Sequence, residues 1–446
     1  MPEVAMSRLL AIKGPAALIG EAVMPGDKSI SHRVALLASI ADGTSAIRGF
    51  ASSADCQATL DCIARLGINI EREGGLVEIQ GQGMLGFIPQ PGKTRLYAGN
   101  SGSTIRMIAG LLAAQVFTSE IDGDESIRRR PMKRVIEPLL RMGAVIEARE
   151  GNYAPISIRG GPLRAIDYTS PVASAQVKTA VMLAGLYASG RTTFVEPAPS
   201  RNHTELMLEE FGAPVERLSD CGVATGRCGS LRPVEYTVPG DVSSAAFFIA
   251  GAASIPGSRL TIKEVGLNPT RTAFLDILEM LGARVERRNL RSQHGEIVGD
   301  LSVEYSVCSG SPRHILLRGE IIANLIDEIP ILAVAATQHE GTFEVREARE
   351  LRLKESDRIR TVVDAIDALG GNVEEFEDGF RIRGPRRLKG GRVSTAGDHR
   401  IAMAFSIAGL MSEGETEILD ADSAGVSFPE FYDVVRRLAG EERIVG

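Results

Sequence analysis

The chain has no tryptophan, and aromatic residues make up 5% of its 446 positions, so its core must be aliphatic. Cysteine is scarce and scattered: Cys56, Cys62, Cys221, Cys228 and Cys308 form an odd set with no CxxC pair. That is not a disulfide framework, and packing inside the core is the ordinary role for such residues. The six histidines show no HExxH or similar spacing, which argues against a dedicated metal site. No apolar run reaches the length of a membrane span, and VALLASIA and ILAVAAT read as core helices. The N-terminal MPEVAMSRLLAIKG lacks an apolar signal region and a transit-peptide composition, so a cytoplasmic protein is expected. Excess positive charge is missing too: the net charge of -7 argues against nucleic acid as the main partner, though it says nothing about local patches. With 44% hydrophobic and 24% charged residues, the composition is that of a soluble globular protein whose length suits two or three domains.

What the chain does have is repetition. CIARLGINIE, PLLRMGAVIE, MLEEFGAPVE, ILEMLGARVE and AIDALGGNVE share one grammar, and VVRRLAGEERIV is a degenerate sixth copy. In the first five, a helix ends at Gly67, Gly143, Gly212, Gly282 or Gly370 and a strand follows; glycine suits the left-handed position after a helix. The period is roughly 70 residues, longer than that of thin solenoid repeats. Upstream of each copy lies an apolar helix rich in Ala, Gly and Ser, such as RVALLASIADG or IAMAFSIAGLMSEG, followed by a strand. Nearly all-apolar faces imply helices buried on most sides. Six such units are too many for one core and divide into two domains of three.

The segments leading into these helices are PGDKSISHR, GNSGSTIR, SPVASAQVK, PGDVSSAA, ANLIDEIP and TAGDHR. They are rich in Ser, Asn, Asp and Gly, which cap helix starts, and several carry Lys, Arg or Gln. A helix N-terminus attracts anions through free N–H groups and its dipole, so converging starts would form an anion-binding cleft in an acidic protein.

Two readings stand beside each other at every motif. GNSGSTIR is a helix cap or a ligand loop, and it is not a Walker A sequence. SIRRRPMKR, with Arg128, Arg129, Arg130 and Lys133, is a solvated basic loop or a clamp for phosphate or carboxylate. Ser174, Gln176 and Lys178 mark a polar helix start. Asp327 and Glu328, just before an apolar helix, are a cap or a general base. RLKESDRIR alternates Arg352, Lys354, Glu355, Asp357, Arg358 and Arg360, as a salt-bridged helix face or a site would. GDHRIAMAF adds Asp398, His399 and Arg400. Each signal is modest, but their recurrence at corresponding places favours one shared site for small, multiply anionic ligands.

PGDKSISHR, GNSGSTIR, RRPM, VASAQVKTA, IDEIPILAVAA, LKESDR, GDHRIAM and SFPEF resemble, in order, the blocks of the 5-enolpyruvylshikimate-3-phosphate synthases (3-phosphoshikimate 1-carboxyvinyltransferases). The resemblance covers nearly the whole chain. It implies an α/β fold of two similar domains, each of three βαβαββ units around buried parallel helices, the inside-out barrel of enolpyruvyl transferases. One domain would span residues 22–239, the other 1–21 and 240–446, with the active site in the cleft between them. It implies an enzyme of aromatic amino acid biosynthesis, a monomer without cofactor, metal, nucleic-acid or membrane partner. The enzyme would move the enolpyruvyl group of phosphoenolpyruvate to the 5-hydroxyl of shikimate 3-phosphate by addition and elimination, releasing phosphate.

By the same resemblance, Lys28, Ser29 and Arg33 would hold shikimate 3-phosphate, with Lys28 also reaching phosphoenolpyruvate and counting with Asp327 and Glu355 as catalytic. Ser174, Ala175 and Gln176 would line the pocket, Gln176 touching both substrates. Gly102, Arg130, Arg358 and Arg400 would bind phosphoenolpyruvate, and Lys354 shikimate 3-phosphate. Asp327 would bind the ring hydroxyls and accept a proton; Glu355 would move a proton at the methylene carbon. Glycine at 102 implies sensitivity to the herbicide glyphosate. The chain departs from the family pattern at Val426, where some members have lysine, at Asp27 of DKS, and at Ala175 within SAQ. The sister enzymes that use UDP-N-acetylglucosamine carry a cysteine in the loop corresponding to 120–132 and lysine-asparagine where this chain has Lys28-Ser29; neither feature is present. A non-catalytic anion-binding repeat protein is the remaining class, and retention of Asp327 and Glu355 weighs against it.

Overall fold

A computed structural model describes residues 9–89, 94–306 and 312–446; Cys308 and the first eight residues lie outside them. The chain divides into two compact units. The first comprises residues 26–239 and 292–296, and the second comprises 1–25, 240–291 and 297–446. Strand Ile19–Val23 lies parallel to Arg259–Gly266, which ties it to the second unit.

Among the described residues each unit holds three four-stranded sheets, and each sheet is built around one copy of the sequence repeat. The third copy shows the pattern. Strand Asp167–Thr169 leads through the buried helix Ala175–Gly185 to a parallel neighbour, Arg191–Val195. Helix His203–Glu210 then leads to the antiparallel strands Val215–Ser219 and Gly222–Gly226. A buried crossover helix is what a parallel pair requires. The repeat glycines 67, 143, 212, 282 and 370 all take positive φ, 77° to 105°, just past their helices. Each unit is closed by distant strands. Glu235–Thr237 supplies the parallel edge beside Asp42–Arg48 in the first. In the second, Leu10–Gly14 pairs with Gly414–Leu419 in one sheet, and Ile19–Val23 forms the edge of another beside Arg259–Gly266.

The apolar helices form two separate cores. In the first unit, Gly102–Leu112 packs against Lys28–Ser39 and Ala175–Gly185. Gly110 permits this approach, because a Cβ there would lie 2.2 Å from the Ala180 carbonyl oxygen. In the second, Val242–Ser254, Ile329–Ala336 and His399–Met411 pack on one another. Twelve of the thirteen residues of Val242–Ser254 are buried, so the small-residue composition serves close packing on every face. Among the described residues, no helix is long and apolar enough to cross a membrane.

Candidate active site

Five of the six buried helices start with a side-chain cap. Asp27, Ser101, Ser174, Asp241 and Asp398 accept from the N–H groups of Ile30, Thr104, Val177, Ser243 and Arg400. Most of the functional candidates stand on or beside the starts of the six buried helices, where backbone N–H groups and the positive helix dipole meet.

In the first unit, Lys28 begins its helix and its Nζ lies 2.9 Å from Asp55 Oδ2, both groups largely buried. Ser29 Oγ accepts from Arg201 Nη1 at 3.0 Å. Arg33 is buried and braces three helix starts together. Its Nε donates to Thr204 Oγ1 at 2.8 Å, Nη1 to the Ser29 carbonyl at 2.9 Å, and Nη2 to the Ala175 carbonyl at 3.2 Å. Gln176 is fixed at both ends of its amide. Oε1 accepts from Arg106 Nη1 and Nε2 donates to Ser103 Oγ, each at 3.0 Å. Of the basic run, Arg130 is buried and donates to Asn100 Oδ1 at 3.0 Å and Ser126 Oγ at 2.9 Å. Arg128 pairs with Asp122 at 2.6 Å and with Glu125, while Arg129 and Lys133 are exposed. Of these four cations Arg130 is the buried one, Arg128 is half-buried in its ion pairs, and Arg129 and Lys133 face solvent.

Gly102 opens its helix with an ordinary negative φ. A Cβ there would lie 2.7 Å from Arg106 Nη1 and 3.3 Å from Arg130 Nη1. The position therefore faces two guanidinium groups. Lys178 belongs elsewhere: its Nζ sits 2.9 Å from both Glu196 and Glu205 in a buried ion triad. His32, fully buried with Nδ1 2.7 Å from Thr59 Oγ1, is pushed down to about 3 by burial and is neutral.

In the second unit, one guanidinium gathers the carboxylates. Arg358 is 1% exposed, with Glu355 Oε2 at 2.5 Å, Asp398 Oδ2 at 2.8 Å and Asp327 Oδ1 at 3.4 Å. Burial works against its charge, but Asp398, Glu355 and Asp327 overcome this and hold Arg358 firmly protonated. Burial likewise opposes ionisation of Asp398, yet Arg358 keeps its carboxyl below the usual range. Arg400 Nε lies 3.3 Å from Asp327 Oδ1, and its Nη1 donates to the Asp327 carbonyl at 3.1 Å. Glu328, at the N-cap position of the Ile329–Ala336 helix, makes no side-chain cap; it accepts from Ser243 Oγ, beside Arg271. Lys354 reaches Glu350 at 3.4 Å, and burial depresses its pKa. The alternating segment divides: Arg352 pairs with Asp357 and Glu375, and Arg360 with Asp364 and Glu375, as a salt-bridged face, while Glu355 and Arg358 join the cluster.

A family model described as EPSP synthase (3-phosphoshikimate 1-carboxyvinyltransferase) matches residues 12–435. The chain belongs to the EPSP synthase family. The 3-phosphoshikimate 1-carboxyvinyltransferase of Solibacter usitatus is 49% identical over 428 residues, covering 96% of this chain and 99% of its own. That of Bacillus velezensis is 47% identical, covering 95% and 98%. The solved EPSP synthase of Acinetobacter baumannii superposes with a TM-score of 0.85 at 38% identity, over 99% of each chain. The α/β architecture of two three-repeat units is thus the EPSP synthase fold.

The sequence reading overlooked several residues of these clusters. Asp55, Arg106, Arg201 and Thr204 hold Lys28, Gln176, Ser29 and Arg33, from 27 to 172 positions away. Only Arg106 carried a local signal, one turn after Gly102 in GNSGSTIR. The others are ordinary charged or polar residues until the fold brings them in.

Proposed function

We propose that this chain transfers the enolpyruvyl group of phosphoenolpyruvate to the 5-hydroxyl of shikimate 3-phosphate, as a cytoplasmic monomer without a cofactor. The reading rests on one observation above all: Arg358 holds Glu355, Asp398 and Asp327 on a single buried guanidinium. Two carboxylates with proton-transfer duties are thereby fixed beside a cation suited to a carboxylate or phosphate.

In the proposed reaction, Asp327 accepts the 5-hydroxyl proton as that oxygen bonds to C2 of phosphoenolpyruvate. Glu355 delivers a proton to C3, giving a tetrahedral intermediate. Glu355 then takes a proton back from C3 while the C2–O bond to phosphate breaks, and the leaving phosphate takes up the proton that Asp327 removed from the hydroxyl. Arg130, Arg358, Arg400 and the backbone at Gly102 hold phosphoenolpyruvate. Lys28, Ser29, Arg33, Ser174, Ala175, Gln176 and Lys354 hold shikimate 3-phosphate, with Lys28 and Gln176 reaching both. Two substrates that each carry a carboxylate and a phosphate need this many cations, and fixed cations stabilise developing charge without reorganising.

The depressed pKa of Lys354 gives this reading a pH signature. Its charged form is lost earlier than an ordinary lysine's as pH rises, so the KM for shikimate 3-phosphate climbs on the alkaline side. In Lys354→Arg, which stays charged, that climb is absent. The decisive experiment is phosphate release by the purified protein with both substrates, and with UDP-N-acetylglucosamine in place of shikimate 3-phosphate.

A further inference from the structure

Strands Arg284–Gln293 and Glu296–Glu304 are joined by His294 and Gly295, with φ of 52° and 76°. Positive φ at both positions is the geometry of a two-residue hairpin loop. The strands belong mostly to the second unit, but residues 292–296 belong to the first. There the His294 ring stacks on Tyr236 with centroids 4.3 Å apart, and its Nε2 accepts from the Thr237 N–H at 3.3 Å. Gln293 Nε2 donates to the Thr237 carbonyl at 3.2 Å. Glu296 is buried, and its Oε1 accepts from His203 Nδ1 at 2.6 Å.

A carboxylate leaves water only where partners hold it, so this contact fixes the position of His203 as firmly as its own. His203 opens the helix His203–Glu210, and its neighbours in sequence serve the substrate-side residues. Arg201 holds Ser29 Oγ, Thr204 holds Arg33 Nε, and Glu205 holds Lys178. We propose that Glu296 is a positioning residue for shikimate 3-phosphate: through His203 it sets the segment 201–205, and through Arg201 and Thr204 the orientation of Ser29 and Arg33. The inference rests on the proposed substrate and deepens it. It assigns a role in the first unit to a residue more than 50 positions beyond the 26–239 segment.

The test combines steady-state kinetics in both substrates with calorimetric titration of shikimate 3-phosphate. Glu296→Ala raises its Kd and KM roughly tenfold, as loss of a supporting partner does elsewhere. The KM for phosphoenolpyruvate and kcat stay within about twofold. Glu296→Gln, which keeps an acceptor for His203, recovers most of the affinity. Unchanged shikimate 3-phosphate affinity in Glu296→Ala overturns the inference, as does a loss shared equally by both KM values and kcat. Should Glu296→Ala not be recovered folded, His203→Gln is judged by the same criteria. A wild-type chain that releases no phosphate from the two substrates overturns the substrate reading itself, whereas an active wild type with an unaffected Glu296→Ala overturns only the positioning role.

Discussion

Asp398→Asn isolates what the buried charge cluster contributes. The wild-type carboxylate is fully buried; Oδ1 caps the His399–Met411 helix at the Arg400 N–H, 2.9 Å away, and Oδ2 accepts from Arg358 Nε at 2.8 Å and Ser356 Oγ at 3.1 Å. Asparagine keeps the cap acceptor and loses the charge. Arg358 is not orphaned, because Glu355 and Asp327 remain, so the cost falls at or below the usual range for breaking a buried pair, about 2–4 kcal/mol. At about 2–4 °C per kcal/mol for a unit of this size, the transition of the second unit drops by roughly 4–16 °C. Asp398→Ala adds about 1 kcal/mol for the lost cap. The wild-type advantage depends on pH in a definite direction. A carboxyl held below its usual range contributes its full stability above the unfolded pKa of about 3.9 and loses it as pH falls through the folded value. Urea titrations of the full chain at neutral pH and at about pH 3.5 should therefore show the gap between wild type and Asp398→Asn narrowing in acid. A mutant within about 0.5 kcal/mol of wild type at neutral pH would refute the reasoning.

Glu355→Gln and Asp327→Asn should fold and bind substrates nearly normally while losing about 10²–10⁴-fold in kcat; near-wild-type turnover in either would remove that residue from proton transfer. Gly102→Ala meets no backbone penalty, since its φ is ordinary, but the methyl presses on Arg106 and Arg130. Its glyphosate inhibition constant should rise at least about tenfold, more than the KM for phosphoenolpyruvate, and an equal change in both would show that the methyl does not discriminate. Cys56 and Cys62 should resist alkylation in the native chain, because burial raises both thiols, Cys62 to about 12. The half-buried Cys221 and Cys228 should react before them, and peptide mapping that finds Cys56 or Cys62 modified ahead of these two would contradict their burial.

The repeat was legible because each copy carries its own local chemistry. A cap residue at the helix start and a glycine at a positive-φ position past the next helix are decided within a few residues. The candidate residues were legible for the same reason, since most stand at those starts. The failures are non-local. The pairing of Lys28 with Asp55, Gln176 with Arg106 and Arg33 with Thr204 depends on which helix start faces which, and no short window encodes that. SIRRRPMKR illustrates the limit: four cations look equivalent in sequence, and it is the end of the short helix Glu125–Arg129 that buries Arg130, leaving Arg129 and Lys133 exposed and Arg128 half-buried. The placement of Ile19–Val23 and of the 292–296 hairpin tip likewise rests on strand pairing and packing at a distance.

The central claim is the reaction, and release of inorganic phosphate tests it most directly. The purified chain, given phosphoenolpyruvate and shikimate 3-phosphate, should release one phosphate for each 5-enolpyruvylshikimate 3-phosphate formed, with no metal added. It should release none when UDP-N-acetylglucosamine replaces shikimate 3-phosphate. Release with the sugar nucleotide instead, or none with either acceptor from a folded preparation that binds shikimate 3-phosphate, would contradict the account.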